Sequence, residues 1–180
     1  MQTFVALLRG INVGKNNRVP MAELRALLIE QGYVGVATLL NSGNAVFCAE
    51  NGSPQEHAAA ISSAISDKLN VNVPVIVKSA QELAVIVQEN PINTFEADPS
   101  QLLVAFVQDA KSLLPLKSLE SHVVSPEQFV TGKNAAYLNC ANGILASKAA
   151  SALLGKVGKA ATTRNWATVL KLQTLANTAS

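Results

Sequence analysis

The apolar positions of this 180-residue chain fall into short runs and stripes that predict its elements one after another. Thr3–Leu8 is short and apolar and is followed by Gly10, which predicts a buried strand. A polar loop, Gly10 to Arg18, comes next. Pro20 then suits the first position of a helix, in which Met21, Leu24, Leu27 and Leu28 share one face and Gly32 closes the end. Val36–Leu40 and Ala45–Cys48 predict two strands joined across the turn signal Asn41-Ser42-Gly43-Asn44. Ser53-Pro54-Gln55-Glu56 is a capping box, and the helix it opens repeats Ile61, Ile65 and Leu69 every fourth residue. Val73–Val77 predicts a further strand. The order strand, helix, strand, strand, helix, strand is the split βαβ pattern of a ferredoxin-like unit.

A second capping box, Ser79-Ala80-Gln81-Glu82, opens a linker helix that stops at Asn90-Pro91. The pattern then starts again near Ser100. Leu102–Val107 predicts a strand, Pro115–Ser121 a short helix, Gln128–Thr131 and Ala136–Cys140 a hairpin across Gly132-Lys133-Asn134, and Ser147–Leu154 a helix. Ala45-Val46-Phe47-Cys48-Ala49-Glu50-Asn51-Gly52 resembles Tyr137-Leu138-Asn139-Cys140-Ala141-Asn142-Gly143 in place and pattern, with Cys48 and Cys140 in corresponding places, which suggests a duplication. The closing strand of the second half is expected to be missing, with Thr163–Ala176 forming a helix instead. The expected fold class is α+β, with two duplicated ferredoxin-like (split βαβ) halves, residues 1–90 and 91–180, packed together with a C-terminal helix.

Composition sharpens this in three ways. Hydrophobic residues make up 49% and aromatics only 4%, so the core is built of aliphatic side chains. No targeting or membrane-spanning stretch is visible, and the two cysteines, Cys48 and Cys140, are too few for a disulfide framework. A reduced, cytoplasmic protein with no membrane partner is the expectation. Charge is unevenly spread: residues 1–44 carry a net +2, residues 45–130 a net −6, and residues 131–180 a net +6 without one carboxylate. That last stretch suggests an anionic partner, or else a solvated basic face.

Two segments carry the candidate chemistry. The loop from Arg9 to Arg18 leaves a strand and feeds a helix N-terminus, an arrangement that aims backbone N–H groups at an anion. Arg9, Lys15 and Arg18 supply charge there, and Asn12 and Asn17 supply hydrogen bonds. Gly10 and Gly14 are too closely spaced for a nucleotide-binding P-loop, and Asn16 stands where that motif needs Ser or Thr. The second segment is Ala161-Thr162-Thr163-Arg164-Asn165-Trp166, where Thr162 or Thr163 is expected to cap the last helix and place Arg164 in its first turn. Alternatively, Arg164 points to a carboxylate and Trp166 begins a core stripe with Val169 and Leu170. His57 and His122 lack metal-ligand spacing, so no metal and no cofactor are implied. No aromatic-rich sheet motif for RNA is present.

At these segments the chain resembles a known family. Val5-Ala6-Leu7-Leu8-Arg9-Gly10-Ile11-Asn12-Val13-Gly14, Val19-Pro20-Met21, Asn41-Ser42-Gly43-Asn44-Ala45-Val46-Phe47 and Ala161–Trp166 with Thr168–Leu172 are similar to the bacterial domain of unknown function 1697 family. The resemblance implies a bacterial protein with a duplicated ferredoxin-like fold and no established activity. Many members have glycine at the position of Lys15 and lysine at that of Asn16, so basic charge is kept but moved. The Ser147-Lys148 pair is similar to the family's serine-lysine step. The leading functional expectation is a small anionic or phosphorylated ligand held between the halves by Arg9, Asn12, Lys15, Asn17, Arg18, Lys148, Thr163, Arg164 and Asn165. The alternatives are a nucleic-acid or protein interaction domain using the basic C-terminal surface, and an enzyme acting on an anionic substrate in the same cleft. Neither segment contains His, Asp or Glu to serve as a general base, so the catalytic residues and the oligomeric state are left open.

Overall fold

The structure, a computed structural model, describes residues 1–14 and 17–179. The elements run β1 (Gln2–Leu8), α1 (Met21–Glu30), β2 (Val34–Leu39), β3 (Asn44–Ala49), α2 (Pro54–Leu69), β4 (Val75–Ser79), α3 (Ala80–Gln88), β5 (Leu102–Val107), a 3-10 helix (Ala110–His122), β6 (Gln128–Thr131), β7 (Ala135–Asn139), α4 (Lys148–Leu154), β8 (Ala161–Asn165) and α5 (Trp166–Thr178). They form an α+β protein with two four-stranded antiparallel sheets, ordered β2-β3-β1-β4 and β6-β7-β5-β8. Each sheet is a split βαβ arrangement, in which the two strands joined by one crossover are separated by a strand of the other. By its contacts the chain divides into two compact units, Met1–Leu83 with Leu172–Ser180, and Ala84–Lys171.

In the first unit, Phe4, Ala6 and Leu8 of β1 and Ala45 and Phe47 of β3 face Leu24, Leu27 and Leu28 of α1 and Ile61 and Ile65 of α2. These are the stripes that the helical spacing predicts. Val5, Leu7 and Val46 point to the opposite face and are buried too, which is why β1 reads as an unbroken apolar run rather than an alternating one. Both predicted capping boxes form: the Ser53 and Ser79 hydroxyls accept from the Glu56 and Glu82 amides, and each glutamate accepts in return from the serine amide. The C-terminal residues join this unit, with the Cys48 thiol donating to the Ala179 carbonyl at 3.2 Å.

The second unit repeats the plan. Leu103, Ala105 and Val107 of β5 and Ala136 and Leu138 of β7 pack with Leu113, Leu116 and Leu119 of the 3-10 helix and Ala149, Ala150 and Leu153 of α4. The far face of the sheet carries Val104, Phe106 and Tyr137, all buried. Tyr137 Oη donates to the Ile86 carbonyl of α3 at 2.6 Å.

Two expectations are corrected here. The closing strand is not missing: Ala161–Asn165 forms β8, paired with β5 from Leu103↔Asn165 to Val107↔Ala161. Thr162 and Thr163 therefore lie in a strand, and the last helix begins at Trp166, capped by Asn165, whose Oδ1 accepts from the Thr168 amide at 2.9 Å. Two adjacent threonines fit a strand as well as a cap, and pairing with β5 decides between them. Arg164 is consequently a strand residue opposite Val104, as Lys78 of β4 is opposite Val5. The second correction concerns the repeat. Cys140 lies in the helix-facing core, whereas Cys48 lies on the other face beside Thr3. Aligning the cysteines is one residue out of register, and in a strand one residue reverses the face.

Candidate functional site

The first candidate segment is assembled at the end of β1. The Leu8 amide donates to Gly43 of the β2–β3 turn at 2.8 Å, and the Arg9 amide donates to Pro74 at 2.9 Å. Beyond them the sign of φ alternates: Gly10, Asn12 and Gly14 are positive at 66°, 57° and 67°, while Ile11 and Val13 are not among the positive-φ residues. Where left-handed residues alternate with right-handed helical ones, successive N–H groups turn toward one side. The N–H groups of Gly10, Ile11, Val13 and Gly14 donate no hydrogen bond among the described residues.

Asn12 holds this loop together. Its Nδ2 donates to the carbonyls of Val19 (2.9 Å) and Asn41 (2.8 Å), and its Oδ1 accepts from the Val19 amide (3.0 Å). Its backbone N–H donates to the Asn17 carbonyl at 3.1 Å, and Asn17 Nδ2 reaches the Gly10 carbonyl at 3.4 Å. Ile11 is the buried anchor and packs on Gly43, where a Cβ would stand 2.6 Å from Ile11 Cδ1. The hairpin turn is thus part of the loop's foundation, with Leu40 (φ 59°) and Gly43 (φ 82°) in the left-handed region. The turn itself is legible in the sequence; its tie to the loop is not. The signal was the Asn-Ser-Gly-Asn run, whose buried Asn44 donates to Leu39 O and Ser42 Oγ.

On the outside of the loop, Arg18 is exposed and has no ion-pair partner among the described residues. Arg9 is half-buried, and Val13 and Leu40 present apolar surface. Lys15 lies outside the described residues. Asn12 and Asn17 spend their side chains on the loop and its neighbouring turn, so they shape the loop rather than offer free donors.

The second segment lies in the other unit. Lys148 is exposed at the first position of α4, behind Ser147, whose hydroxyl caps the Ala150 amide. Thr163 is half-buried in β8. Arg164 is buried, and its Nη1 donates to Thr162 Oγ1 and to the Thr163 carbonyl, both at 2.9 Å. Burial brings its guanidinium down to about 10. Asn165 is engaged as the cap of α5. Trp166 and Val169 are buried as a core stripe requires, whereas Leu170 is exposed. Among the described residues no group of three His, Cys, Asp or Glu side chains is placed to hold a metal ion, and no helix is long and apolar enough to cross a membrane.

Against known families, residues 1–137 match the one described as a protein of unknown function, DUF1697. The matched span contains the loop and the hairpin and ends before β8. A solved structure, that of conserved bacterial protein SP0830 from Streptococcus pneumoniae, is 22% identical and aligns with a TM-score of 0.75 over 97% of this chain and 98% of that one. At that identity the likeness is one of fold. No curated protein matches the chain.

Proposed function

We propose that this chain, which belongs to the DUF1697 family of proteins of unknown function, binds a small anionic ligand of the phosphate type at the loop from Arg9 to Arg18. The observation that carries the reading is the alternation of φ at Gly10, Asn12 and Gly14, with four amide N–H groups unbonded among the described residues. An anion seated there accepts from several N–H groups at once, with the cations of Arg9 and Arg18 close in sequence on either side. Tying the loop to the hairpin through Asn12 and Ile11 fixes the loop before a ligand arrives, which lowers the entropic cost of binding. Val13 and Leu40 offer apolar contact for the organic part of a phosphorylated compound.

An amide-detected NMR titration of the whole protein with inorganic phosphate tests this. Saturable shifts at Gly10, Ile11, Val13 and Gly14 are expected, with affinity about threefold to tenfold weaker in Arg18→Ala, the effect of one exposed charge-assisted contact. Shifts confined to Lys148–Lys171 would instead favour the basic C-terminal stretch as the anionic interface and refute the loop as the site.

A further inference from the structure

The helix layer of the second unit differs from that of the first in charge and in what it exposes. In the first unit, α1 and α2 carry four carboxylates, Glu23, Glu30, Glu56 and Asp67, against Arg25 and Lys68. Of the large apolar side chains on those two helices, only Ile29 is exposed. In the second unit, the 3-10 helix and α4 lie on the same face of the sheet and pack against each other. At about three residues per turn, the 3-10 helix sets Leu113, Leu116 and Leu119 in a buried row and Lys111, Leu114, Lys117 and Glu120 in an exposed one. In α4, Ala149, Ala150 and Leu153 are buried, and Lys148, Ser151 and Leu154 form the outer stripe. Leu145 precedes that stripe and is fully exposed, and exposed Lys156 and Lys159 follow it. Segments 109–122 and 144–160 thus hold five lysines against two carboxylates, Asp109 and Glu120. Asp109 is engaged as a cap, accepting from the Lys111 amide. A single exposed leucine is ordinary, but Leu114 (63% exposed), Leu145 and Leu154 (54%) stand among lysines on one layer, and together they make an amphipathic basic surface.

We propose that this layer docks on the surface of an anionic lipid bilayer. The lysines match negative headgroups, and the leucines between them reach the boundary of headgroups and acyl chains. Among the described residues no helix is long and apolar enough to cross a membrane, so the contact uses no spanning helix. A polynucleotide fits less well. Its phosphates would use the lysines but leave the leucines in water, and neither segment holds Phe, Tyr or Trp for bases to stack on. The proposal departs from the expectation of no membrane partner, which rested on the lack of a spanning stretch. Exposed Leu114 and buried Leu113 and Leu116 are told apart only by the packing of the 3-10 helix on the sheet. This surface lies in the second unit and is independent of the anion site proposed for the first.

Flotation of the full chain with vesicles tests this. Vesicles of phosphatidylcholine mixed with phosphatidylglycerol should carry the protein, vesicles of phosphatidylcholine alone should not, and added salt should weaken the association. Lys148→Gln and Lys156→Gln are each expected to lower the partition coefficient about fivefold, the share of one lysine at an anionic surface. Leu145→Ser and Leu154→Ser are each expected to lower it about threefold to tenfold, the loss of one partly inserted aliphatic side chain. Ile29→Ser, on the helix layer of the first unit, is expected to bind as the parent does. All five positions are exposed, and circular dichroism checks that each variant is folded. No flotation with the anionic vesicles, or equal flotation with the neutral ones, would overturn the proposal. Leucine variants that bind like the parent would also overturn it and reduce the surface to general attraction of lysines for polyanions. Binding of a DNA duplex without flotation would assign the surface to nucleic acid instead.

Discussion

Replacing Gly43 by alanine tests how the loop and the hairpin are joined. Two costs add at this position. With φ at 82°, a residue with a Cβ occupies the left-handed region, at about 1–2 kcal/mol. The new Cβ also stands 2.6 Å from Ile11 Cδ1 and 2.7 Å from Leu8 Cβ, and Leu8 and Ile11 are both buried. Relieving such overlap in a packed core costs about 1–3 kcal/mol more. The expected loss is therefore about 2–5 kcal/mol, a large part of the roughly 5–15 kcal/mol that holds a domain together. Gly10→Ala is the matched control: its φ is 66° and nothing lies within 4 Å of its Cβ, so only the left-handed cost of about 1–2 kcal/mol applies. Urea unfolding followed by far-UV circular dichroism measures both. With a slope of about 1–3 kcal/mol per molar urea, the two variants should differ in midpoint by about 1 M. Equal midpoints for Gly43→Ala and Gly10→Ala would refute the idea that Ile11 and Gly43 pin the loop by direct packing.

Four further outcomes are expected. Asn12→Asp turns two donated bonds, to Val19 O and Asn41 O, into repulsions between oxygens, and should lower stability by about 2–3 kcal/mol in the same urea assay. Burial holds the His57 imidazole below its ordinary 6.5, with neighbouring Glu56 opposing the shift and Tyr33 Oη 2.9 Å from Nδ1. The unfolded chain then takes up the proton first, so stability should fall as pH drops below about 6.5 and stay flatter in His57→Gln. Burial pushes the Cys140 thiol up to about 11, so iodoacetamide at pH about 8 should leave it unmodified in the native protein and alkylate it only after unfolding, as mass spectrometry of the labelled peptides would show. Tyr137→Phe removes the donor to Ile86 O and should cost about 1–3 kcal/mol by thermal or urea denaturation.

Signals that act within a few residues were readable from the chain itself. The two Ser-x-x-Glu boxes formed because a capping box needs only its own four residues. The apolar stripe of α1 and the unbroken runs of β1 and β5 likewise reported their own burial. Those elements, in their repeated order, were enough for a duplicated α+β fold. What lay beyond local signals depended on partners distant in sequence. Ala161–Asn165 became a strand because β5 offers it a free edge, and no property of two threonines beside an arginine encodes that edge. The faces of Cys48 and Cys140 were set by strand register, which a one-residue misalignment reverses.

For the sites the division is sharper. That a glycine- and asparagine-rich basic loop follows the first strand is legible in the chain, because residue types fix which backbone angles and charges are available. That Asn12 and Asn17 serve as struts and that the hairpin turn anchors the loop depends on folding, since both rest on contacts such as Asn12 with Asn41, 29 positions apart. Hydrogen bonding and desolvation act over a few ångströms, and it is the fold that decides which residues come within that range.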